Sequence, residues 1–364
     1  MSIEFVRIVF IIAVISVHIM ATGPLYNSPT SGAVWMLFHV SRNLFIILTS
    51  IVLIYSFGVG RPFNAKKFYL KRFALVLIPY MTWSLIYQVG HGIQQHTVFS
   101  FLSTFVYNIV TANAMYHLYF LLLSMQIYLL FPLIRYLFGK IKQYPRRVIA
   151  ISFIIQLVIT SFIHYSPNIP GLSWWFNYPD KNILSYQFYI VIGAFMASNV
   201  KAFEDYIYSK RRVLYKLASV VAVFGQVIYL LQAINGVSPA VASAVFQPYL
   251  VIESTVFGLA LFALGVQWNR GGMSHKRLVT LIAEDSFGIY LCHVFVISYV
   301  IVPFQPASNN WITALTTLIV GVPVVYALSF GLTELARHTP LSLLLTGRKS
   351  VGLNFGLSKK EALV

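Results

Sequence analysis

Long apolar runs separated by short polar loops follow one another along the whole chain. Each run approaches the roughly 20 residues that an α-helix needs to cross a hydrocarbon core about 30 Å thick. No run shows the alternation of polar and apolar residues that is typical of a membrane β-strand, so the pattern predicts an all-α polytopic membrane helical bundle. We predict about ten transmembrane helices, over residues 4–22, 34–57, 73–90, 116–138, 148–165, 183–200, 217–235, 246–267, 279–303 and 311–335.

A shorter apolar stretch and the ends of the chain complete this organisation. Residues 97–111 carry no charge but are too few to span, so we predict an interfacial or re-entrant helix at the outer face. The spans indicate one transmembrane domain over residues 1–336, which leaves residues 337–364 as a short basic cytoplasmic tail.

The charges are few, and they are distributed asymmetrically. The 364 residues are 58% hydrophobic and 10% charged, which excludes a soluble globular enzyme and a disordered chain. The loops of one side hold basic clusters at 61–72, 140–147, 201–216, 270–277 and 337–360, whereas the opposite loops hold one basic residue, Lys181. By the positive-inside rule, both termini are cytoplasmic. The net charge of +17 is therefore read as a topogenic signal of a multi-pass cell-membrane protein, and no nucleic-acid partner is expected.

Four ionisable residues of special interest fall inside the predicted spans: Arg7, His18, Arg42 and Glu253. A charge in hydrocarbon costs about 2.5–3.5 kcal/mol on insertion scales, so each of the four is a functional candidate. Arg7 and His18 are eleven residues apart on the first helix, which separates them by about 20° around its axis and about 16 Å along it. We expect both to face a common interior channel, where Arg7 binds an anion and His18 accepts a proton. The alternative is an Arg7 that snorkels to the interface and a His18 that only bonds a neighbouring helix.

Arg42 and Glu253 lie at similar depths in the outer halves of their spans. They are predicted to pair with each other, or Glu253 is predicted to orient the imidazole of His18; a purely structural ion pair is the alternative. The chain has no P-loop, no G-x-S-x-G, no G-x-G-x-x-G and no H-E-x-x-H motif, which argues against hydrolase, ATPase and dinucleotide-binding functions. No metal site is predicted.

Six motifs follow one another in an order that resembles a known family. They are Arg7 to His18 as an Arg-x10-His first helix, Leu44 to Ser50, the basic stretch Lys67 to Arg72 with Ile78-Pro79-Tyr80, Tyr116 to Phe120, Tyr189 to Gly193, and Ser286 to His293. Together they are similar to motifs of the integral-membrane acyltransferase-3 family. The resemblance is to the polysaccharide O-acyltransferase branch, such as the intercellular-adhesion poly-N-acetylglucosamine O-acyl/succinyltransferase. The chain departs from the family pattern where Thr49 and Ser50 replace Ser and Gly, and where Val294 replaces a proline.

This resemblance implies a membrane O-acyltransferase. It would move an acetyl or succinyl group from cytoplasmic acyl-CoA, its co-substrate, to a hydroxyl of a cell-surface polysaccharide or lipid-linked sugar. The implied site residues are His18, Arg7 and Glu253 for catalysis, Arg72, Lys71 and Tyr80 for coenzyme A, and Arg42, His117, Tyr290 and His293 for the acceptor.

The expected partners are membrane lipid, the polysaccharide or glycolipid acceptor, and a glycan synthase complex. The alternative function is a polysaccharide or lipid-linked sugar exporter or flippase. Many spans, 16% aromatic residues and charges inside the bundle suit such a transporter equally well.

Overall fold

The apolar runs fold into helices, because lipid offers backbone groups no hydrogen-bond partners outside the chain. The computed structural model describes residues 3–90, 97–165, 178–272, 276–305 and 307–351, and no β-strand occurs among them. Its helices are α1 (Ile3–Met20), α2 (Pro29–Phe38), α3 (Val40–Phe57), α4 (Ala65–Gly90), α5 (Val98–Thr111), α6 (Tyr119–Ile141), α7 (Pro145–Tyr165), α8 (Gln187–Ser198), α9 (Val200–Ile234), α10 (Pro239–Ala242), α11 (Tyr249–Arg270), α12 (Lys276–Glu284), α13 (Ser286–Val296), α14 (Trp311–Thr316), α15 (Val322–Arg337) and α16 (Ser342–Thr346). The predicted all-α class is confirmed.

Within the described ranges, nine helical segments are long and apolar enough to cross a membrane. They are Ile3–Met20, Pro29–Phe57, Ala65–Gly90, Tyr119–Ile141, Pro145–Tyr165, Val200–Ile234, Tyr249–Arg270, Ser286–Phe304 and Trp311–Arg337. The last two contain π-helical turns, at Ile297–Ile301 and Thr317–Gly321. These nine segments correspond to nine of the ten predicted spans.

The tenth predicted span, 183–200, forms a shorter helical segment. A 3-10 turn at Ile183–Tyr186 leads into α8, so the segment Ile183–Ser198 falls short of the length of the other spans. Arg7 near the start of the chain and Gly347 beyond the last span line one cavity, so both ends of the described chain lie at the same end of the bundle. That Ile183–Ser198 crosses the membrane as a tenth span stays a prediction. That this end faces the cytoplasm stays a prediction from the loop charges.

Buried polar contacts hold this short segment between α3 and α7. On one side, Ser50 of α3 donates a hydrogen bond to the carbonyl of Ile190 at 2.6 Å. On the other, Gln156 of α7 donates to the carbonyl of Ser185 at 2.8 Å. Helices in lipid gain no hydrophobic attraction for one another, so close packing and interhelical hydrogen bonds must hold them together.

The segment 97–111 forms a helix, as predicted, and the C-terminal region folds back onto the bundle. Helix α5 starts where the Thr97 side chain accepts a hydrogen bond from the Ser100 amide at 3.1 Å. Its position at the outer face stays a prediction. Helix α16 lies in the region predicted to be a tail, yet Ser342 and Thr346 are buried. Residues 337–351 are therefore part of the packed structure, and residues 352–364 lie outside the described ones.

The contact between α3 and α8 predicts that Gly193 tolerates no side chain. A Cβ atom there would lie 2.5 Å from the Ile47 carbonyl oxygen and 2.8 Å from the Ser50 Cβ, so the two backbones would have to separate. Gly193→Ala should lower the free energy of unfolding by about 1–3 kcal/mol, measured by thermal unfolding in detergent. The matched control is Gly331→Ala, because a Cβ at Gly331 meets no atom within 4 Å. Equal unfolding temperatures for the two variants would contradict the packing described.

Candidate active site

Two adjoining cavities lie inside the bundle, and α1 contributes a polar side chain to each. One has a volume of about 490 Å³ and is lined by His18 with residues of α2, α3 and the turn before α6. The other has a volume of about 240 Å³ and is lined by Arg7, Arg72 and residues of α3 and α6. We call them the His18 cavity and the Arg7 cavity.

Three aromatic side chains lie between the cavities and line both of them: Phe45 of α3, Phe120 of α6 and Tyr290 of α13. The ring centroid of Phe120 is 5.8 Å from that of Phe45 and 5.8 Å from that of Tyr290, with the edge-to-face geometry that aromatic pairs prefer. We call these three side chains the aromatic partition. The prediction of one common channel is wrong, because Arg7 and His18 both point inward but into separate cavities.

His18 forms a direct hydrogen bond with His293. Nδ1 of His18 lies 2.7 Å from Nε2 of His293, and the two rings are stacked with centroids 5.0 Å apart. Nδ1 of His293 lies 2.7 Å from the carbonyl oxygen of Tyr290, one turn earlier on α13. His293 is fully buried, whereas His18 is half-buried because it lines the His18 cavity.

This chain of contacts determines which ring nitrogen carries a proton. A carbonyl oxygen only accepts hydrogen bonds, so Nδ1 of His293 must be the donor to Tyr290. In a neutral His293, Nε2 then carries the lone pair and accepts the hydrogen bond that Nδ1 of His18 donates. Nε2 of a neutral His18 is thereby left with a lone pair, which is the state that a general base requires.

His117 places a third imidazole next to His18 and His293. Its ring centroid is 5.2 Å from that of His293 and 6.2 Å from that of His18, and the hydroxyl of Tyr290 donates to its backbone carbonyl. Both ring nitrogens are buried without a hydrogen-bond partner among the described residues. Within the same residues, no three His, Cys, Asp or Glu side chains are arranged to hold a metal ion.

The Arg7 cavity combines two guanidinium groups with aromatic and hydroxyl side chains and with the carboxylate of Glu284, which Arg348 pairs with. Arg7 comes from the first half of α1 and Arg72 from the start of α4. The Arg72 guanidinium lies over the Tyr128 ring at 5.9 Å, and Ser124 adds a hydroxyl to the lining. Two cations at the edge of an apolar bundle attract an anion more strongly than the same groups in water do.

The C-terminal region closes one side of the Arg7 cavity. Gly347 lines it in a left-handed conformation, with φ +68°, and the indole of Trp83 donates to the Leu345 carbonyl at 2.9 Å. Arg348 then forms ion pairs with Glu284 at 2.8 Å and Asp285 at 3.4 Å. The sequence did not predict that the C-terminal region lines this cavity, because its basic composition gave no indication that it folds back onto the bundle.

Of the three residues predicted to bind coenzyme A, the structure places one in the Arg7 cavity. Arg72 lines it, whereas Lys71 is exposed and is not among its lining residues. Tyr80 is fully buried and donates a hydrogen bond to the Ile109 carbonyl at 2.6 Å, so its hydroxyl anchors α5. Tyr80 therefore does not line the Arg7 cavity, and its role in coenzyme A binding stays a prediction.

Glu253 does not make either of its predicted contacts. It is fully buried, and neither carboxylate oxygen has a hydrogen-bond partner in the described part of the chain. It lines neither the His18 cavity nor the Arg7 cavity. The predicted pair with Arg42 is wrong, because Arg42 donates to the Val245 carbonyl instead. The predicted orientation of His18 by Glu253 is also wrong, because His293 holds that nitrogen.

The residues predicted to bind the acceptor lie at the His18 cavity. Arg42, His117 and Tyr290 line the His18 cavity, and His293 supports it from behind through His18. Spacing alone could not reveal the His18–His293 contact, because the two residues are 275 positions apart. The late motif that ends at His293 was the signal available in the sequence.

Comparison with known families agrees with this architecture. The acyltransferase domain of the acyltransferase-3 family matches residues 2–334, so the chain belongs to this family and is a multi-pass membrane acyltransferase. The resemblance seen in the motifs is confirmed at the level of the family. No curated protein and no solved structure matches the chain.

The hydrogen-bond chain predicts the tautomers of His18 and His293. Both neutral rings should carry their proton on Nδ1, because the Tyr290 carbonyl sets one and His293 sets the other. Nitrogen-15 NMR of the histidine-labelled protein in lipid distinguishes the tautomers, and the variants His18→Gln and His293→Gln assign the signals. Exposed His338 serves as the internal reference for an imidazole outside the cluster. A His18 ring with its proton on Nε2 would contradict the arrangement.

Proposed function

We propose that this protein is a membrane O-acyltransferase that binds acyl-CoA at the Arg7 cavity and a sugar hydroxyl in the His18 cavity. The observation that carries the proposal is the orientation of His18. Its Nδ1 is bonded to His293, its Nε2 keeps a lone pair, and its side chain lines the His18 cavity. The aromatic partition separates this base from the cationic cavity, so the donor and the acceptor have distinct places.

The Arg7 cavity suits the polyanionic donor. Arg7 and Arg72 supply planar donor groups that bind phosphate oxygens in bidentate geometry. Exposed Lys71 adds positive charge at the same end of α4. The phosphates would stay at this cavity, while the flexible thioester arm passes between the rings of the aromatic partition toward His18.

Transfer then needs one proton movement and one acyl exchange. Nε2 of His18 takes the proton of the acceptor hydroxyl as the hydroxyl oxygen attacks the thioester carbonyl carbon. The carbon–sulfur bond breaks, the ester forms, and the leaving thiolate takes the proton back from His18. His293 is a positioning residue, because the hydrogen bond from His18 Nδ1 holds the imidazole in the tautomer that attack requires.

The finer assignments follow from the same arrangement. We propose an acetyl or succinyl group as the acyl group that is transferred, and a cell-surface polysaccharide or lipid-linked sugar as the acceptor. We further propose that the protein lies in the cell membrane and works with a glycan synthase complex. The match to an acyltransferase domain over residues 2–334 supports this function over the exporter or flippase.

Loss of the imidazole should remove acyl transfer. We expect His18→Ala to lower acceptor-dependent release of coenzyme A by about 10²–10⁴-fold, the range that general-base catalysis contributes. The measurement is turnover of the purified protein in lipid nanodiscs, with mass spectrometry of the surface glycan in cells. The control is His338→Ala, which removes an exposed imidazole. Full transfer by a normally folded His18→Ala protein would overturn the proposal.

Removal of a guanidinium should affect donor binding rather than the chemical step. A charge-assisted hydrogen bond contributes about 1.5–3 kcal/mol, so Arg7→Gln should raise the KM for acyl-CoA by about 10–150-fold. We expect kcat to change far less. Arg212→Gln, which removes an equal charge from an exposed position on α9, should leave KM unchanged. An Arg7→Gln enzyme with normal KM would remove Arg7 from the donor site.

A further inference from the structure

Arg42 presents a buried positive charge to the His18 cavity. The residue is 8% exposed, its Nη2 donates to the Val245 carbonyl at 3.0 Å, and its Nε is buried without a hydrogen-bond partner in the described structure. The guanidinium lies 5.0 Å from the centroid of the Tyr186 ring and 4.5 Å from that of Phe246. It forms no ion pair with any described carboxylate.

The hydroxyl of Tyr119, which also lines the cavity, accepts a further hydrogen bond from Arg42. These contacts hold the guanidinium in place, but all of them come from neutral groups and do not neutralise it. Cation–π contacts contribute about 0.5–2 kcal/mol, whereas the burial of a charge costs several kcal/mol unless an opposite charge compensates. The ring faces also keep the side chain from reaching toward solvent. The cavity therefore retains a fixed positive potential at Arg42.

The remaining polar groups of the cavity do not supply the missing negative charge. His18 and His39 each direct one ring nitrogen to a protein partner, His293 and the Ser243 carbonyl respectively. Asp180 is the acidic residue among the described lining, and it is half-buried without an ion pair to Arg42. A carboxylate with access to water is screened and offsets Arg42 only in part.

We propose that the His18 cavity takes an anionic acceptor, a sugar that bears a carboxylate or phosphate which Arg42 binds while a hydroxyl lies at His18. This inference rests on the proposed function and names the class of its acceptor. Arg42 and His18 line the same cavity of about 490 Å³, which is within the size range of small-ligand sites. The guanidinium would gain a charge-assisted, bidentate partner and would select acidic sugars over neutral ones.

The test compares acidic sugars with neutral counterparts on the full-length protein in nanodiscs. The probes are methyl glucuronoside against methyl glucoside, and N-acetylglucosamine 1-phosphate against N-acetylglucosamine, with binding measured as Kd. We expect at least one acidic probe to bind at least 10-fold more tightly than its neutral counterpart. Arg42→Gln should abolish this preference, and Arg42→Lys should retain part of it. Equal binding of acidic and neutral probes by the wild-type protein would overturn the proposal.

A second variant keeps the test decisive if Arg42→Gln does not fold. Asp180→Asn removes the competing carboxylate, so we expect it to strengthen acidic-probe binding by about 2–10-fold at unchanged thermal stability. If Asp180 instead is the counter-ion of Arg42, Asp180→Asn will lower the unfolding temperature and leave the preference unchanged. That result would overturn the proposal.

Two further arms separate this proposal from the proposed catalysis and from the acyl group. His18→Ala should keep the acidic preference while it loses transfer, so failure of the catalytic role and failure of the anion site give different results. The carboxylate that Arg42 binds could also belong to a succinyl group on the donor. Turnover of succinyl-CoA and acetyl-CoA with one neutral acceptor tests this source. If Arg42→Gln selectively slows succinyl transfer and no acceptor preference exists, the carboxylate belongs to the acyl group and the acceptor assignment is overturned.

Discussion

The hydrogen bond between His18 and His293 is the interaction on which the candidate active site depends. It joins the first helix to a helix near the end of the chain, and the Tyr290 carbonyl sets its direction. A neutral imidazole can carry its proton on either ring nitrogen, and with Nδ1 of His18 bonded to His293 only one tautomer leaves a lone pair on Nε2. Two neutral rings and a backbone carbonyl achieve this without a buried carboxylate, which would bring a large desolvation cost.

The aromatic partition divides the interior of the bundle into the two cavities of the candidate active site. Its three rings lie between the two cavities, and in the proposed function they let the flexible thioester arm pass while they restrict the entry of water. Exclusion of water protects a thioester from hydrolysis. Phe45, Phe120 and Tyr290 come from three helices, and Tyr290 also carries the carbonyl that orients His293. Orientation of the base and separation of the cavities are thus coupled through one residue.

Patterns that are local in sequence predicted much of this protein. The 3.6-residue period put Arg7 and His18 on the inward face of α1, and apolar length identified nine spans. Long-range contacts were predicted poorly. Glu253 was expected to meet Arg42 or His18 because opposite charges in lipid should pair, yet helix packing places it against α9, near Gly225. Nor did the sequence predict that the hydroxyl of Tyr80 anchors α5.

The sequence by itself determined the class: membrane spans of the right length, the distribution of charge and the register of α1. These properties follow from hydrophobicity and helix geometry, which act over a few turns of one helix. Only the tertiary structure decided that His293 is the partner of His18, that three rings divide the interior, and that Gly347 returns to line the Arg7 cavity. Each of these depends on which helices pack together, and many helices share the same apolar pattern, so composition cannot distinguish their neighbours.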